Sequence, residues 1–80
     1  MNAKEAVAAR IAEICKERGI TVNALANLAG MSPSTIYSML NAKSKNPGVI
    51  SIQKMCDALD ITVRDFFDSA LFEGLEPVIQ

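Results

Sequence analysis

VNALANLAGMSPSTIYSMLN, residues 22–41, decides the fold of this chain, because it reads as two short helices joined by a turn that few residue types can make. A steep crossing through three or four residues demands close approach, and Ala26, midway along the first helix, is small enough to admit the second. Gly30 follows the last apolar residue of that helix, where a left-handed backbone angle costs glycine nothing at Cβ. Ser32 reads as the N-cap of the second helix and Pro33 as its first residue, with φ already fixed. Leu25, Leu28 and Ala29 are expected to stripe the first helix, Met31 to plug the turn, and Ile36, Met39 and Leu40 to stripe the second. Met31 and Ile36 also have hydrophobic-staple spacing around Ser32, which sets the angle at which the chain enters.

At about 100° per residue, Ser34, Ser38 and Asn41 project from the side of the second helix opposite Ile36 and Met39, with Thr35 and Tyr37 on its flanks. A helix face made only to meet water usually carries Glu and Lys pairs. This one has no charge from Gly30 to Ala42, so it is a ridge of hydrogen-bonding groups without a field.

Working outward, a first helix is predicted over Ala3–Arg18, with Val7, Ile11, Ile14, Cys15 and Arg18 on one stripe and Gly19 as its stop. Thr21 is the expected N-cap of the helix Val22–Ala29, and the next helix covers Pro33 to about Leu40. A polar linker, Asn41 to Gly48, contains Lys43, Lys45, Asn46 and Pro47. A fourth helix over Val49–Leu59 buries Val49, Ile52, Cys56 and Leu59, with Asp60 breaking it and Ile61 returning to the core. Thr62 and Asp65 form a capping-box variant for a fifth, whose Val63, Phe66 and Phe67 seal the core. The fold class is therefore all-α, five helices in a domain over residues 1–67, followed by a tail over 68–80 that carries Leu71, Phe72, Leu75, Val78 and Ile79. The tail either folds back over its own core or forms a homodimer interface, since a monomer seldom leaves such a patch open.

Half of the 80 residues are apolar, and His and Trp are absent. Without His there is no ready proton shuttle, no Ser-His or Cys-His nucleophile and no Cys-Cys-His zinc cluster. Asp57, Asp60, Asp65 and Asp68 cluster in sequence but fall at caps and solvent faces, with no convergent base or nucleophile. Enzymatic activity, a cofactor, a metal and a small-molecule ligand are not expected. No apolar run approaches the roughly 18 residues of a membrane span, and charges interrupt the Ala-rich start, unlike a signal peptide. The expected location is cytoplasmic, with Cys15 and Cys56 as buried free thiols. Net charge is −1 but polarised: Met1 to Lys54 holds seven Lys and Arg against three Glu, and the remainder one Arg against six acids. That polarity suits an approach to phosphates, and it also arises easily in a short chain.

The series RIAEICKERGIT, LANLAGMSPSTIYSML, NAKSKNP and SIQKMCDALDITVRDFF, in that order and at those separations, resembles the Xre-type helix-turn-helix family over about Arg10 to Phe67. These are small five-helix domains typified by phage Cro and λ-type repressors. The resemblance implies a λ-repressor-like fold with the helix-turn-helix at helices 2 and 3, and a sequence-specific transcriptional regulator of double-stranded DNA, a repressor by expectation. It places the helix 33–40 in the major groove and the helix before it across the backbone. Ser34, Thr35, Tyr37, Ser38 and Asn41 are then the expected base-reading residues, and Thr21, Val22, Asn23, Ser32, Lys43 and Lys45 the phosphate contacts. Because one recognition helix of Ser, Thr, Asn and Tyr offers few bidentate base contacts, a homodimer reading half-sites about 34 Å apart is expected. The alternative is an antitoxin or other protein-interaction module with a heterologous partner. An RNA-binding reading has only Tyr37 as a stacking platform. Three positions depart from the family pattern: Ala42 where Gly is frequent, Gly48 where Ser or Thr often caps, and Ile50 where a polar residue is common. The first is expected to displace the lysine-bearing loop, and the last to mark a contact surface.

Overall fold

The computed structural model describes residues 1–41 and 46–79. It contains five helices, α1 (Ala3–Arg18), α2 (Val22–Leu28), α3 (Pro33–Leu40), α4 (Val49–Leu59) and α5 (Val63–Phe67), and then one 3-10 turn, Ala70–Phe72.

Three left-handed residues set the path of the chain. Gly19 (φ +65°), Gly30 (φ +66°) and Asp60 (φ +56°) close α1, α2 and α4. After each, an apolar residue turns back and donates its N–H to a carbonyl five positions earlier: Ile20 to Cys15 at 3.0 Å, Met31 to Ala26 at 2.9 Å and Ile61 to Cys56 at 3.0 Å. These bonds satisfy carbonyls that a helix end would otherwise orphan. They also return Ile20, Met31 and Ile61 to the rim of the core. Asp is among the few side chains that tolerate the left-handed angle, so Asp60 does the work given to glycine elsewhere.

A Cβ placed on Gly30 would meet nothing within 4 Å. The cost of Gly30→Ala is therefore the backbone angle alone, about 1–2 kcal/mol, and each kcal/mol should lower Tm by roughly 4–8 °C in a domain of this size. A thermal melt checks this, and a drop of more than about 25 °C would mean that a clash, absent from this geometry, contributes.

Helix starts are equally explicit. Asn2 Oδ1 accepts the Glu5 N–H at 2.8 Å while Glu5 Oε1 accepts the Asn2 N–H at 2.9 Å, a capping box for α1 that the sequence reading passed over. Thr62 and Asp65 form the expected box on α5, with bonds of 3.0 and 3.1 Å. Hydrogen bonds from the Thr62 backbone and side chain hold the Asp65 carboxyl below the usual carboxylate range. Gly48 caps α4 without a side-chain bond.

The core draws Ala6, Val7, Ile11, Ile14 and Cys15 from α1, Leu25 and Ala26 from α2, Ile36 and Met39 from α3, Ile52, Met55, Cys56 and Leu59 from α4, and Phe66 from α5. Several expected members are missing. Leu28 is 63% exposed. The buried stripe of α2 runs between Leu25 and Ala26, with Val22 and the capping residue Ala29 partly buried beside it, so Leu28 lies about 110° around the helix from its centre. Val49, in the first position of α4, also points to solvent, and Met55 fills the middle of that helix's inner face instead. Arg18 is exposed in the last turn of α1. With only five residues, α5 offers one side chain to the interior, leaving Val63 and Phe67 partly outside.

Cys15 and Cys56 are buried and free. Desolvation pushes both thiols up, and the nearby Asp57 and Asp65 carboxylates add to the rise at Cys56.

The first part of the tail folds back. The 3-10 turn packs on α1. Phe72 packs against the core, its ring 4.9 Å from that of Phe67 and 6.4 Å from that of Phe66. Leu71 and Leu75 are half-buried. The Glu76 N–H donates to the Met1 carbonyl at 3.2 Å, and its carboxylate lies 3.7 Å from the Met1 ammonium. Beyond this tie, Val78 and Ile79 are 87% and 90% exposed.

Arg10 joins the two ends of the helical assembly. Its Nε donates to the Phe66 carbonyl at 2.6 Å and its Nη2 to the Asp65 carbonyl at 2.9 Å, while Nη1 pairs with Glu13 on the same helix. A guanidinium thus covers two carbonyls in the last turn of α5, of which that of Asp65 also accepts the Asp68 N–H at 3.2 Å.

Candidate nucleic-acid interface

The site is built on the α2–α3 corner. Thr21 Oγ1 accepts the Ala24 N–H at 3.0 Å and fixes the start of α2. Leu25, Ala26, Ile36 and Met39 are all buried at the crossing, and Ala26 has no exposed surface, as close approach of the two helices requires. Gly30 turns the chain, Met31 is half-buried, and Ser32 and Pro33 begin α3 with an extended cap and a preset first residue.

With Ile36 and Met39 facing inward, the opposite side of α3 is committed to solvent. Ser34, Thr35, Tyr37, Ser38 and Asn41 are all exposed. Asn41 prolongs the ridge through N–H bonds to the Tyr37 and Ser38 carbonyls at 3.1 and 3.3 Å, while its own backbone has already become extended. Ser34, Ser38 and Asn41 fall on the side opposite Ile36 and Met39, and Thr35 and Tyr37 are exposed on its two flanks. No acid stands in the first turn of α3 and no base in its last.

At the start of that ridge three hydroxyls meet. Ser32 Oγ accepts the Thr35 N–H at 3.3 Å, lies 2.8 Å from Thr35 Oγ1 and lies 3.1 Å from Ser34 Oγ.

Of the expected phosphate contacts, Thr21, Asn23 and Ser32 are exposed beside the corner, whereas Val22 is half-buried and packs against the core. Lys43 and Lys45, with Ala42, lie outside the described residues. The fold also brings a residue from the start of α1 near the end of α3. Lys4, with Glu5 and Ala8 of α1, lines a recess of about 230 Å³ whose other wall is Met39, Leu40 and Asn41. Lys4 and Asn41 are remote in sequence, and no local pattern announces their proximity.

Among the described residues, no group of three or more His, Cys, Asp or Glu could hold a metal ion. No described helix is long and apolar enough to cross a membrane.

The sequence profile of the Cro/C1-type HTH DNA-binding domain matches residues 10–69, and the chain belongs to that family. It is a DNA-binding domain of the class that regulators use. Among solved structures, the prophage Lp1 protein 11 is 37% identical and superposes with a TM-score of 0.80, over 86% of this chain and 92% of the other. No curated protein matches.

Proposed function

We propose that this chain is a sequence-specific transcriptional repressor that inserts α3 into the major groove of double-stranded DNA. Ser34, Thr35, Tyr37, Ser38 and Asn41 read base edges. Thr21, Val22, Asn23, Ser32, Lys43 and Lys45 contact phosphates and fix the register. The observation that carries this reading is the ridge itself: Ser34, Thr35, Tyr37 and Ser38 on the helix that follows the Gly30 turn, and Asn41 at its end, are polar, uncharged and exposed. Occupancy of the groove is enough to exclude a competing protein from the same DNA.

A helix of hydroxyls with one amide makes few of the bidentate contacts that give single-site specificity. Two copies on half-sites about 34 Å apart would add their modest contributions, and a homodimer is part of the proposal. Val78 and Ile79 are its most exposed apolar residues in the tail, with the half-buried Leu71 and Leu75 beside them, while Phe72 serves its own core. Leu28 and Ile50, both more than 60% exposed, favour a second reading, an antitoxin-like module that binds a different protein through its helical surface.

Selection of bound sequences from random duplex DNA, with the mass of the protein in solution, tests the proposal. An inverted repeat and a dimeric mass are expected. A monomer that enriches no sequence contradicts it and favours the second reading. On the recovered duplex, Lys43→Ala or Lys45→Ala should weaken binding to every sequence alike and reduce the salt slope by about 0.9 each. Asn41→Ala or Ser34→Ala should instead shift preference among bases by roughly 1–3 kcal/mol. If both pairs act alike in a salt titration across sequences, the division of roles is wrong.

A further inference from the structure

The stretch from Gly19 to Ala42, which contains α2, the turn and α3, carries no charged residue. Affinity for duplex DNA comes largely from cations that release counterions from phosphates. Cations must therefore reach this surface from other parts of the chain, and the packing of α1 against α3 brings one. Lys4, the second residue of α1, forms with Glu5 and Ala8 one side of the recess of about 230 Å³ that Met39, Leu40 and Asn41 close on the other. It is half-buried. A lysine lays its four-carbon stem on apolar surface and keeps its ammonium in water, and Met39 and Leu40 supply that surface at the end of the ridge.

The other cations of α1 have other places. Arg10 is committed to the carbonyls of Asp65 and Phe66 and to Glu13. Lys16 and Arg18 stand in the last turn, roughly 20 Å along the helix axis from Lys4. Glu5, the acid on the same side of the recess, accepts the Asn2 N–H at 2.9 Å in the capping box. Lys4 does not serve its own helix as a charge, because a cation in the first turn opposes the macrodipole. Lys4 is already engaged within the protein, and an ammonium has three donors, so one engagement leaves others to offer.

We infer that Lys4 meets a phosphate at the rim of the groove beside Asn41 and so holds the far end of α3 against the DNA. The inference rests on the DNA-reading function proposed above. The N-terminal residues of a recognition helix meet base edges, so what stands beside Asn41, at the other end of the ridge, faces the backbone. A lysine suits that place as a compact point charge on a flexible stem, which needs no bidentate geometry. Lys4 is a positioning residue: it fixes the seating of α3 and reads no base.

The test uses the duplex that the unmodified protein recovers from a random pool. Lys4→Met keeps the stem and removes the charge. At about 0.1 M salt it should weaken binding at least about threefold, equally for the recovered duplex and its single-base variants, and lower the salt slope by about 0.9. Lys4→Arg should restore affinity to within about twofold. Arg64→Met, which removes a positive charge from α5, should leave the slope within about 0.3, since salt at that concentration screens an exposed charge beyond about 10 Å. Methylphosphonates placed singly along both strands then locate the contact. One of them should weaken the unmodified protein at least about threefold and Lys4→Met less than about 1.5-fold.

A folded Lys4→Met with an unaltered slope overturns the inference. So does an equal loss in Arg64→Met, which would mean a general field, or a change of preference at one base pair, which would make Lys4 a base reader. Each of these results leaves DNA reading by α3 standing. If the unmodified protein recovers no motif, the functional proposal and this inference fall together. Circular dichroism checks the fold, and should Lys4→Met not fold, Lys4→Gln removes the same charge and takes its place in every arm.

Discussion

Phe66→Ala is expected to cost about 3–5 kcal/mol. For an 80-residue domain, whose total stability is on the order of 4–12 kcal/mol, that is a large share or all of it. The ring is 1% exposed and packs edge-on against Phe67, with centroids 5.0 Å apart at 74°. It also lies beside Phe72, whose seat depends on it. The truncation therefore opens a cavity under α5 and loosens the tail at the same time. Its backbone carbonyl, held by Arg10, cannot keep a five-residue helix in place without the ring beneath it. Urea unfolding measures the loss. A cost below about 1.5 kcal/mol would mean that α5 adds little to the core, contrary to the packing described here.

Ala26→Leu acts at the other critical contact. Ala26 has no exposed surface and sits where α2 and α3 cross. Three added carbons in such a position cost about 1–3 kcal/mol through displaced backbone and poor rotamers. The larger consequence is functional, because relief comes most easily by moving α3 away from α2 and tilting the ridge relative to Thr21 and Asn23. Specific DNA binding should be lost at temperatures where the variant is still folded, as read by fluorescence anisotropy beside circular dichroism. Ala12→Leu, on the exposed face of α1, should stay within about 0.5 kcal/mol of the unmodified protein and bind normally. A folded Ala26→Leu that binds DNA normally would show that the crossing does not fix the reading surface.

The corner between α2 and α3 was legible because each residue there answers a demand that few side chains meet. Gly30 must take a left-handed angle, Ser32 must cap, Pro33 must begin a helix and Ala26 must be small. The ridge was legible for a related reason, since Ile36 and Met39 can be buried in only one orientation of an eight-residue helix, and that orientation turns Ser34 and Ser38 outward. Leu28 was misplaced because seven residues define a stripe poorly, and its apolar character is no guide to which side of a short helix meets the core. Met55 was passed over in favour of a stripe counted from Val49, which stands outside. The bonds from Arg10 to the carbonyls of Asp65 and Phe66 join residues 55 and 56 positions apart. No periodic pattern encodes such a contact. Phe72 packs on the rim of the core beside a five-residue α5 that buries only Phe66, an arrangement visible only once the helix ends were known. The hydroxyl triad depends on side-chain rotamers, which sequence spacing does not specify.

The central claim is that the uncharged face of α3 meets the base edges of a duplex. Backbone amide chemical-shift mapping of the labelled protein, titrated with the duplex recovered by selection, tests it most directly. The account predicts that the largest shifts fall on Ser32 to Asn41, with a second set at Thr21 to Asn23, while α5 and the 3-10 turn hold still. Shifts gathered on α4, α5 or the tail, with Ser34 to Ser38 unmoved at saturation, would contradict it.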